Sequence, residues 1–242
     1  MPNYHKAIKD FIKIIFPNSC FICDKIISEG YFCIDDWKKI RFLHKPACEI
    51  CFWPFMFEVE GQIRCANCIK DPPVYFKSIS VLKYDEFSKS LITKFKYSDK
   101  TYIARYFADL IFGYGKEILP DIDFIAPVPL HKLRLITRRY NQAALIANHF
   151  AKLSGKKIIN DLLVRTKNTK AQATLNKKLR GKNIVGVFTL NKKYQQHIKG
   201  KNILLIDDVI TTGATINSCS KVLKKSGVNK VYVLTLAKTV LK

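Results

Sequence analysis

Residues 203–215 read ILLIDDVITTGAT, and the rest of the chain can be interpreted from them. The stretch opens on four apolar residues, a pattern typical of a strand buried on both faces of a parallel sheet. Two acids follow, Asp207 and Asp208, and then a run of small and hydroxylated residues. Further on, apolar side chains recur at helical spacing, at Ile216, Cys219, Val222 and Leu223. The stretch predicts a buried strand, an acidic pair, a loop and a helix.

The predicted loop is suited to an anion. A helix N-terminus offers free backbone N–H groups and the positive end of the helix dipole. Gly213 lets the backbone approach a ligand closely, and the threonine hydroxyls add donors. A phosphate fits this loop, while the two acids can accept hydrogen bonds from neighbouring hydroxyls of a sugar. The pattern predicts a ribose 5-phosphate site; a strand–turn–helix with solvated acids is the alternative.

Two other nucleotide sites are disfavoured because their motifs are missing. A strand ending in acids can hold magnesium in a Walker B site, but that site requires a G-x-x-x-x-G-K-[ST] loop. A Rossmann dinucleotide site requires G-x-G-x-x-G after a strand. Neither motif occurs in the sequence.

The same stretch resembles the phosphoribosyl-pyrophosphate (PRPP) signature of type I phosphoribosyltransferases. The resemblance implies that PRPP binds with Mg²⁺, an ion that prefers oxygen ligands. Asp207 and Asp208 are the candidate catalytic residues, which would orient the ribose diol and offset positive charge on the sugar. The residues assigned to PRPP are Asp207, Asp208, Val209, Ile210, Thr211, Thr212, Gly213, Ala214 and Thr215.

The charge of the chain is unevenly distributed. Its 242 residues carry a formal net charge of +23, yet residues 130–242 contain 24 Lys and Arg and three acids, two of them the predicted pair. A field this positive suits polyanions such as pyrophosphate, nucleotides or single-stranded nucleic acid. A genomic bias is the alternative, and it accounts for 34 Lys against 8 Arg but not for the missing acids.

The sequence contains no run of eighteen apolar residues, so no membrane-spanning helix is predicted. Residues 4–15 alternate apolar and lysine positions, which predicts an amphipathic helix rather than a signal peptide. A short membrane-surface helix is the alternative for this segment. We therefore expect a cytoplasmic protein.

Seven of the eight cysteines precede residue 70. In a cytosolic chain thiols stay reduced, so C-x-x-C pairs predict zinc knuckles rather than disulfides. One set has the spacing of a zinc ribbon: Cys48, Cys51, Cys65 and Cys68. A second set has an aspartate where a fourth cysteine is expected: Cys20, Cys23, Cys33 and Asp36. One or two Zn²⁺ ions are predicted, since the second set could lack metal and interleaved pairing of the knuckles is also possible.

Asp71-Pro72-Pro73 interrupts the chain after the last of these cysteines. We place a domain boundary there, with an N-terminal helix and zinc-binding unit over residues 1–73 and a second domain over 74–242. In the second domain strands alternate with helices, which predicts an α/β fold with a mostly parallel sheet flanked by helices. Strands are predicted over 79–84, 124–129, 198–208 and 228–236, helices over 86–97, 102–116 and 143–153, a basic loop over 131–139 and a mobile substrate loop over 166–184.

Further segments resemble the ComF family. Residues 127–130 (PVPL) resemble its P-V-P-L segment, and residues 138–143 (RRYNQA) resemble its R-G-F-N-Q-A segment. The match continues at Arg165, Thr166, Thr169, Gln172, Leu175, Arg180, Asn183 and Phe188, and more weakly at the pair Lys96-Tyr97. The chain departs from the family where Arg139 replaces a glycine and where Asp36 replaces a cysteine.

The resemblance implies a double zinc ribbon before a type I phosphoribosyltransferase domain, and a role in DNA uptake during natural transformation. The implied partners are PRPP, single-stranded DNA and a DNA-uptake helicase. The candidate pyrophosphate ligands are Arg138, Arg139, Arg165 and Arg180. Three functions fit: a phosphoribosyltransferase with an unknown acceptor, a PRPP or nucleotide sensor without turnover, and a single-stranded DNA module with a regulatory PRPP site.

Overall fold

The computed structural model describes residues 18–58, 61, 63–166 and 186–240. Five strands form a parallel sheet in the order β1-β7-β6-β2-β3, and β4 and β5 form a separate antiparallel pair. The strands are β1 (Lys77–Lys83), β2 (Phe124–Pro127), β3 (Lys157–Ile158), β4 (Leu163–Arg165), β5 (Phe188–Leu190), β6 (Ile203–Ile210) and β7 (Val231–Lys238).

Helices cover both faces of the sheet. They are α1 (Ile34–Trp37), α2 (Ala66–Lys70), α3 (Glu86–Tyr97), α4 (Ile103–Gly115), α5 (Lys132–Arg138), α6 (Gln142–Ser154) and α7 (Ala214–Lys225), with 3₁₀ turns at Lys116–Asp121 and Lys192–Tyr194. Helices α3, α4 and α6 pack on one face, and α7 with the β4–β5 pair packs on the other. The predicted fold class is confirmed: an α/β parallel sheet flanked by helices, preceded by a cysteine-rich unit.

The strand β6 lies between β2 and β7 and pairs in parallel with both. Its first four residues are fully buried, as the apolar run predicts. The sequence predicts this strand over residues 198–208, whereas it begins at Ile203, because residues 192–200 form turns and Gly200 adopts a left-handed φ of 73°. Pairing then continues through the acids to Ile210, opposite Lys238. The acids therefore lie inside the strand, near its carboxyl end.

The direction of winding changes between β2 and β6. After β2 the chain passes through α6 to β3 on one side, whereas after β6 it passes through α7 to β7 on the other. Open parallel sheets bind ligands at such a switch point, outside the carboxyl ends of the strands. The acidic pair and the loop after β2 both lie at this edge of the sheet.

The segment after β2, predicted as a basic loop, contains the helix α5 instead. The His131 side chain accepts a hydrogen bond from the Leu133 amide (3.3 Å) and so caps the helix, a signal that the prediction missed. The helix ends at Arg139, whose backbone is left-handed (φ 63°). Other predictions lie outside the described residues: the helix over residues 4–15, most of the loop over 166–184, and Arg180.

The cysteine-rich unit packs against the edge strand β1. The Leu43 amide donates to the Val81 carbonyl, and the Lys83 amide donates to the Arg41 carbonyl, both at 2.8 Å. This antiparallel contact covers an otherwise open sheet edge. Phe21 and Phe52 are buried in the same core as the helices α3 and α4. The domain boundary after residue 73 stays a prediction. In the part of the chain that the structure describes, no helix has the length and apolarity needed to cross a bilayer.

Candidate active site and metal centres

The acidic pair is held by β6 and neutralised in part by a lysine of α3. The Asp208 amide donates a hydrogen bond to Asp207 Oδ1 (2.9 Å). Lys96 Nζ lies 2.5 Å from Asp208 Oδ2, and the two side chains are 21% and 14% exposed. An ion pair this sheltered is screened little by salt. Lys96 was not among the predicted site residues; the Lys96-Tyr97 match to the family was the available signal.

The environment of Asp207 disfavours its ionised form. Burial raises its pKa, and the neighbouring charge of Asp208 raises it further. The Asp208 amide and the Lys96 ammonium act in the opposite direction, but the pKa stays well above its ordinary value. Strongly shifted acids of this kind cluster at binding and catalytic sites, because a cationic or hydrogen-bonding ligand relieves the penalty. The pair is therefore suited to receive hydroxyl groups and a metal ion.

The loop between β6 and α7 is shaped for an anion. Gly213 has φ 74° and precedes the first residue of the helix, a conformation that side chains with a Cβ rarely adopt. Within the described residues no side chain caps this N-terminus. Thr211 and Thr212 are exposed beside it. Free N–H groups, two hydroxyls and the helix dipole all favour a phosphate here.

The segment after β2 is fastened to α3 by the residues of the RRYNQA motif. Asn141 Nδ2 donates to the Val128 carbonyl (3.0 Å), and Asn141 Oδ1 accepts from the Ala143 amide (3.0 Å). Gln142 Nε2 donates to the Lys96 carbonyl (3.3 Å). The motif thereby holds the β2 loop and the Lys96 backbone at one edge, a positioning role that its letters alone do not reveal.

The candidate arginines divide between two places. Arg138 lies over the Tyr97 ring at 5.3 Å, and Arg139 contacts Asp99 at 3.0 Å, so both lie beside the C-terminus of α3. Arg165 lies over the Phe188 ring at 5.4 Å, on the α7 side of the sheet. Within the described residues, the contacts of Arg138 and Arg139 do not include the acidic pair. Cys219 is fully buried in α7, as expected of a core residue.

The two sets of predicted metal ligands each converge in space. Within each set the candidate ligand atoms lie within 4.8 Å of one another: Cys48, Cys51, Cys65 and Cys68 in one, and Cys20, Cys23, Cys33 and Asp36 in the other. The sets are not interleaved. The structure thus brings together the four groups of each predicted site, including the aspartate.

An internal repeat relates the two sets. The Asp24 amide donates to the Cys20 carbonyl (3.0 Å), as the Phe52 amide donates to the Cys48 carbonyl (2.9 Å). Asp24 and Phe52 share a left-handed φ of 60° and 59°. Cys33 and Cys65 each precede a short helix, α1 or α2. Asp36 stands three residues after Cys33, and Cys68 stands three residues after Cys65, so Asp36 occupies the position of a fourth thiolate.

The separations fit tetrahedral zinc. Four thiolates at about 2.3 Å from one ion are about 3.8 Å apart. The sulfur atoms of Cys51 and Cys65 are 3.6 Å apart, and those of Cys23 and Cys33 are 3.7 Å apart. Cys20 Sγ lies 3.2 Å from Asp36 Oδ2, close enough for both to contact one ion.

Backbone N–H groups prepare the first cysteine of each set as a thiolate. Burial raises the pKa of Cys48, but hydrogen bonds from the Cys51 and Cys65 amides outweigh it and lower the pKa to about 7. At Cys20 burial again opposes hydrogen bonds from the Cys23 and Cys33 amides, and the pKa is lowered. The thiolate is the form that binds zinc.

Comparison with known proteins agrees with both parts of the structure. A family model described as the double zinc ribbon domain matches residues 11–69. Competence protein F of Haemophilus influenzae is 31% identical over 219 residues, which cover 88% of this chain and 92% of the relative. The DNA utilization protein YhgH of Escherichia coli is 25% identical, covering 92% of this chain and 98% of its own. Competence protein ComFC of Bacillus subtilis is 26% identical, covering 86% and 89%.

Among solved structures, the orotate phosphoribosyltransferase from Aeropyrum pernix is 19% identical, with a TM-score of 0.36 over 65% of this chain and 67% of that one. The fold and site define a class of protein: a double zinc ribbon joined to an α/β domain whose parallel sheet carries an acidic pair near its carboxyl edge. The similarity to Competence protein F extends over both parts. The chain belongs to the ComF family.

Proposed function

We propose that this protein binds PRPP together with Mg²⁺ at the carboxyl end of β6 and transfers the phosphoribosyl group to an acceptor. One observation carries the proposal. A sheltered acidic pair on the central strand is followed within five residues by a glycine turn and a helix N-terminus that no described side chain caps. The acids would take the ribose diol and the loop the 5-phosphate, so that neighbouring features of one edge of the sheet would hold neighbouring groups of a ribose 5-phosphate.

The chemistry follows from the charges at the site. Asp207 and Asp208 would accept hydrogen bonds from the ribose diol and stabilise positive charge on the sugar as pyrophosphate leaves C1. The loop over residues 211–215 would hold the 5-phosphate through its N–H groups and hydroxyls. Magnesium, when bound, would neutralise the leaving pyrophosphate through oxygen ligands. Lys96 is a cation already within reach of this pair.

Calorimetric titration with PRPP and Mg²⁺ tests the proposal. The paired variant Asp207→Asn/Asp208→Asn should bind at least tenfold more weakly than the wild type, because its amides lack the carboxylate charge. The matched control is Asp123→Asn, at the opposite edge of the sheet, where the carboxylate accepts the Asn202 amide (2.8 Å). Equal affinity in all three proteins would refute the site.

Pyrophosphate release separates the enzyme from the sensor. A phosphoribosyltransferase should release pyrophosphate from PRPP when the right acceptor is supplied from a panel of bases and nucleic acids. A PRPP or nucleotide sensor should bind PRPP with the same residues and release none with any acceptor.

We also propose a role in DNA uptake, with single-stranded DNA and a DNA-uptake helicase as partners. Its support is the basic composition of residues 130–242 and the names of the relatives, which refer to competence and DNA utilization. A cleft of about 1320 Å³ lies between the turn that joins Cys48 to Cys51, called here the second knuckle, and the amino ends of β1 and β7. Phe76 is 50% exposed there, with Lys230 Nζ 4.2 Å from its ring centre. Aromatic and cationic groups of this kind bind single strands.

A further inference from the structure

Helix α3 connects the first metal centre to the acidic pair. Lys94 and Lys96 stand two residues apart, so their side chains leave the helix about 200° apart. Lys94 Nζ donates to the Ile22 carbonyl (2.9 Å) and contacts Asp24 Oδ2 (2.8 Å). Lys96 Nζ contacts Asp208. One turn of helix therefore carries both contacts.

The residues that Lys94 contacts belong to the turn that begins at Cys20 and contains Cys23, called here the first knuckle. Ile22 lies between Cys20 and Cys23, and Asp24 follows Cys23 with a left-handed backbone. Lys100 also pairs with Asp24. The conformation that brings Cys20 and Cys23 toward one ion is thus the conformation that presents a carbonyl and a carboxylate to α3.

The second knuckle is anchored differently. Its Ile50 carbonyl, the counterpart of Ile22, accepts the Ser78 amide of β1 (2.7 Å). Phe52, the counterpart of Asp24, is buried in the core. The repeat therefore differs in the element that it contacts. The Ile22 carbonyl and the Asp24 carboxylate face the helix of Lys96, whereas the Ile50 carbonyl faces β1 and the Phe52 ring enters the core.

The first metal centre is also built for easier exchange. Cys23 is exposed and Cys33 is half-buried, whereas the four cysteines of the second centre are all buried. Asp36 supplies a carboxylate, a harder ligand than thiolate and a weaker match to zinc. Among the described contacts of Asp36, Lys39 Nζ lies 3.0 Å from its second oxygen. An ion at this centre is expected to leave before one at the second.

We propose that the first metal centre regulates ligand binding at the acidic pair: zinc bound by Cys20, Cys23, Cys33 and Asp36 fixes the knuckle turn, and Lys94 transmits its position to Lys96. Lys94 is a positioning residue in this scheme, since its described contacts are with the first knuckle and not with the acidic pair or the proposed ligand. The inference rests on the proposed PRPP site. Because coupling between two binding sites is reciprocal, bound PRPP must retain zinc at the first centre by the same factor.

The test uses the full-length protein loaded with two zinc ions and the same protein after mild chelation to one. Calorimetry should give a PRPP affinity about tenfold lower for the one-zinc form, within the usual range of such coupling. A chromophoric chelator should in turn withdraw the first zinc about tenfold more weakly when PRPP is present. Equal PRPP affinity in both zinc states overturns the inference. Absence of PRPP binding in both states would instead overturn the proposed function and the inference with it.

Variants locate the coupling. Lys94→Met should bind PRPP as weakly as the one-zinc form while retaining two zinc ions, and Lys94→Arg should restore most of the affinity. Lys89→Met, an exposed lysine on the same helix, is the matched control and should behave as wild type. Asp36→Cys should keep both zinc ions and full PRPP affinity under mild chelation. The proposal is wrong if Lys94→Met binds PRPP as tightly as the wild type. It is also wrong if Asp36→Cys loses PRPP affinity under mild chelation while it still holds both zinc ions.

Discussion

At the scale of single residues, Asp207 is an acid whose ionised form is destabilised by its surroundings in the folded protein. Its pKa is raised by burial and by Asp208, so the ligand-free protein holds an acid where a neutral group would be more stable. A carboxylic acid is normally half ionised near pH 3.9 in an unfolded chain. Because the folded-state pKa lies above that value, the folded state binds the extra proton, and stability falls as pH rises from the lower pKa to the higher.

Asp207→Asn should therefore stabilise the ligand-free protein while weakening PRPP binding. The gain in the free energy of unfolding should grow as pH rises above about 4, because the unfolded chain ionises this acid there while the folded protein holds its pKa higher. Thermal unfolding at pH 4, 6 and 8 measures it, and Asp123→Asn, which alters a carboxylate at the opposite edge of the sheet, is the control. A variant less stable than wild type at pH 8 would contradict the assigned burial of this charge.

Arg139 destabilises the fold in a different way, because its backbone adopts a strained conformation. It adopts the left-handed conformation at the end of α5, where the family motif has glycine. Arg139→Gly and Arg139→Ala both remove the exposed contact with Asp99, so the ion pair cancels in the comparison. The glycine variant should be more stable than the alanine variant by ~1 kcal/mol, because a Cβ in this conformation is penalised. Equal denaturation midpoints would show that the turn relaxes.

At the scale of elements, the sequence predicted most where burial sets the pattern. Helix α3 occupies the predicted residues 86–97, and β6 was recognised from its apolar run. The helix α5 was missed because its exposed Leu133, Leu135 and Ile136 give no core-facing stripe and its cap is a histidine. The Lys96–Asp208 contact was missed because it joins residues 112 positions apart, and no local pattern encodes such a pair.

The internal repeat that relates the two sets of metal ligands predicts two zinc ions per chain. Removing a ligand should cost metal at that centre alone, so Asp36→Ala and Cys68→Ala, which alter equivalent positions, should each retain one zinc. The second centre is buried against the α7 side of the core, so Cys68→Ala should lose more stability. A structural zinc contributes roughly 10 kcal/mol or more to folding in small domains. Metal analysis with thermal unfolding tests both points, and two zinc ions in Asp36→Ala would remove Asp36 from the ligand set.

At the scale of the whole molecule, the two proposed binding surfaces lie at opposite edges of one sheet. The acidic pair and the glycine loop follow the carboxyl ends of the strands, whereas the cleft beside Phe76 adjoins the first residues of β1 and β7. In that cleft Glu117 is paired with Lys45 and Lys77, and Glu49 is paired with Arg64. Lys224 and Lys230 have no acidic partner among the described residues, so they are the cations available to a polyanion.

Single-stranded DNA should therefore bind with a steep dependence on salt and independently of PRPP. Each phosphate neutralised by a lysine releases counterions, which gives a slope of about −0.7 in log K against log salt. Phe76→Ala should lower the affinity by ~1–3 kcal/mol if a base stacks on its ring, whereas Tyr97→Ala, an exposed aromatic at the other edge, should not. Anisotropy of a labelled oligonucleotide over a salt series, with and without PRPP, measures all three effects. Competition by PRPP would move the DNA to the carboxyl edge, and absence of binding at low salt would leave the positive charge to pyrophosphate and to genomic composition.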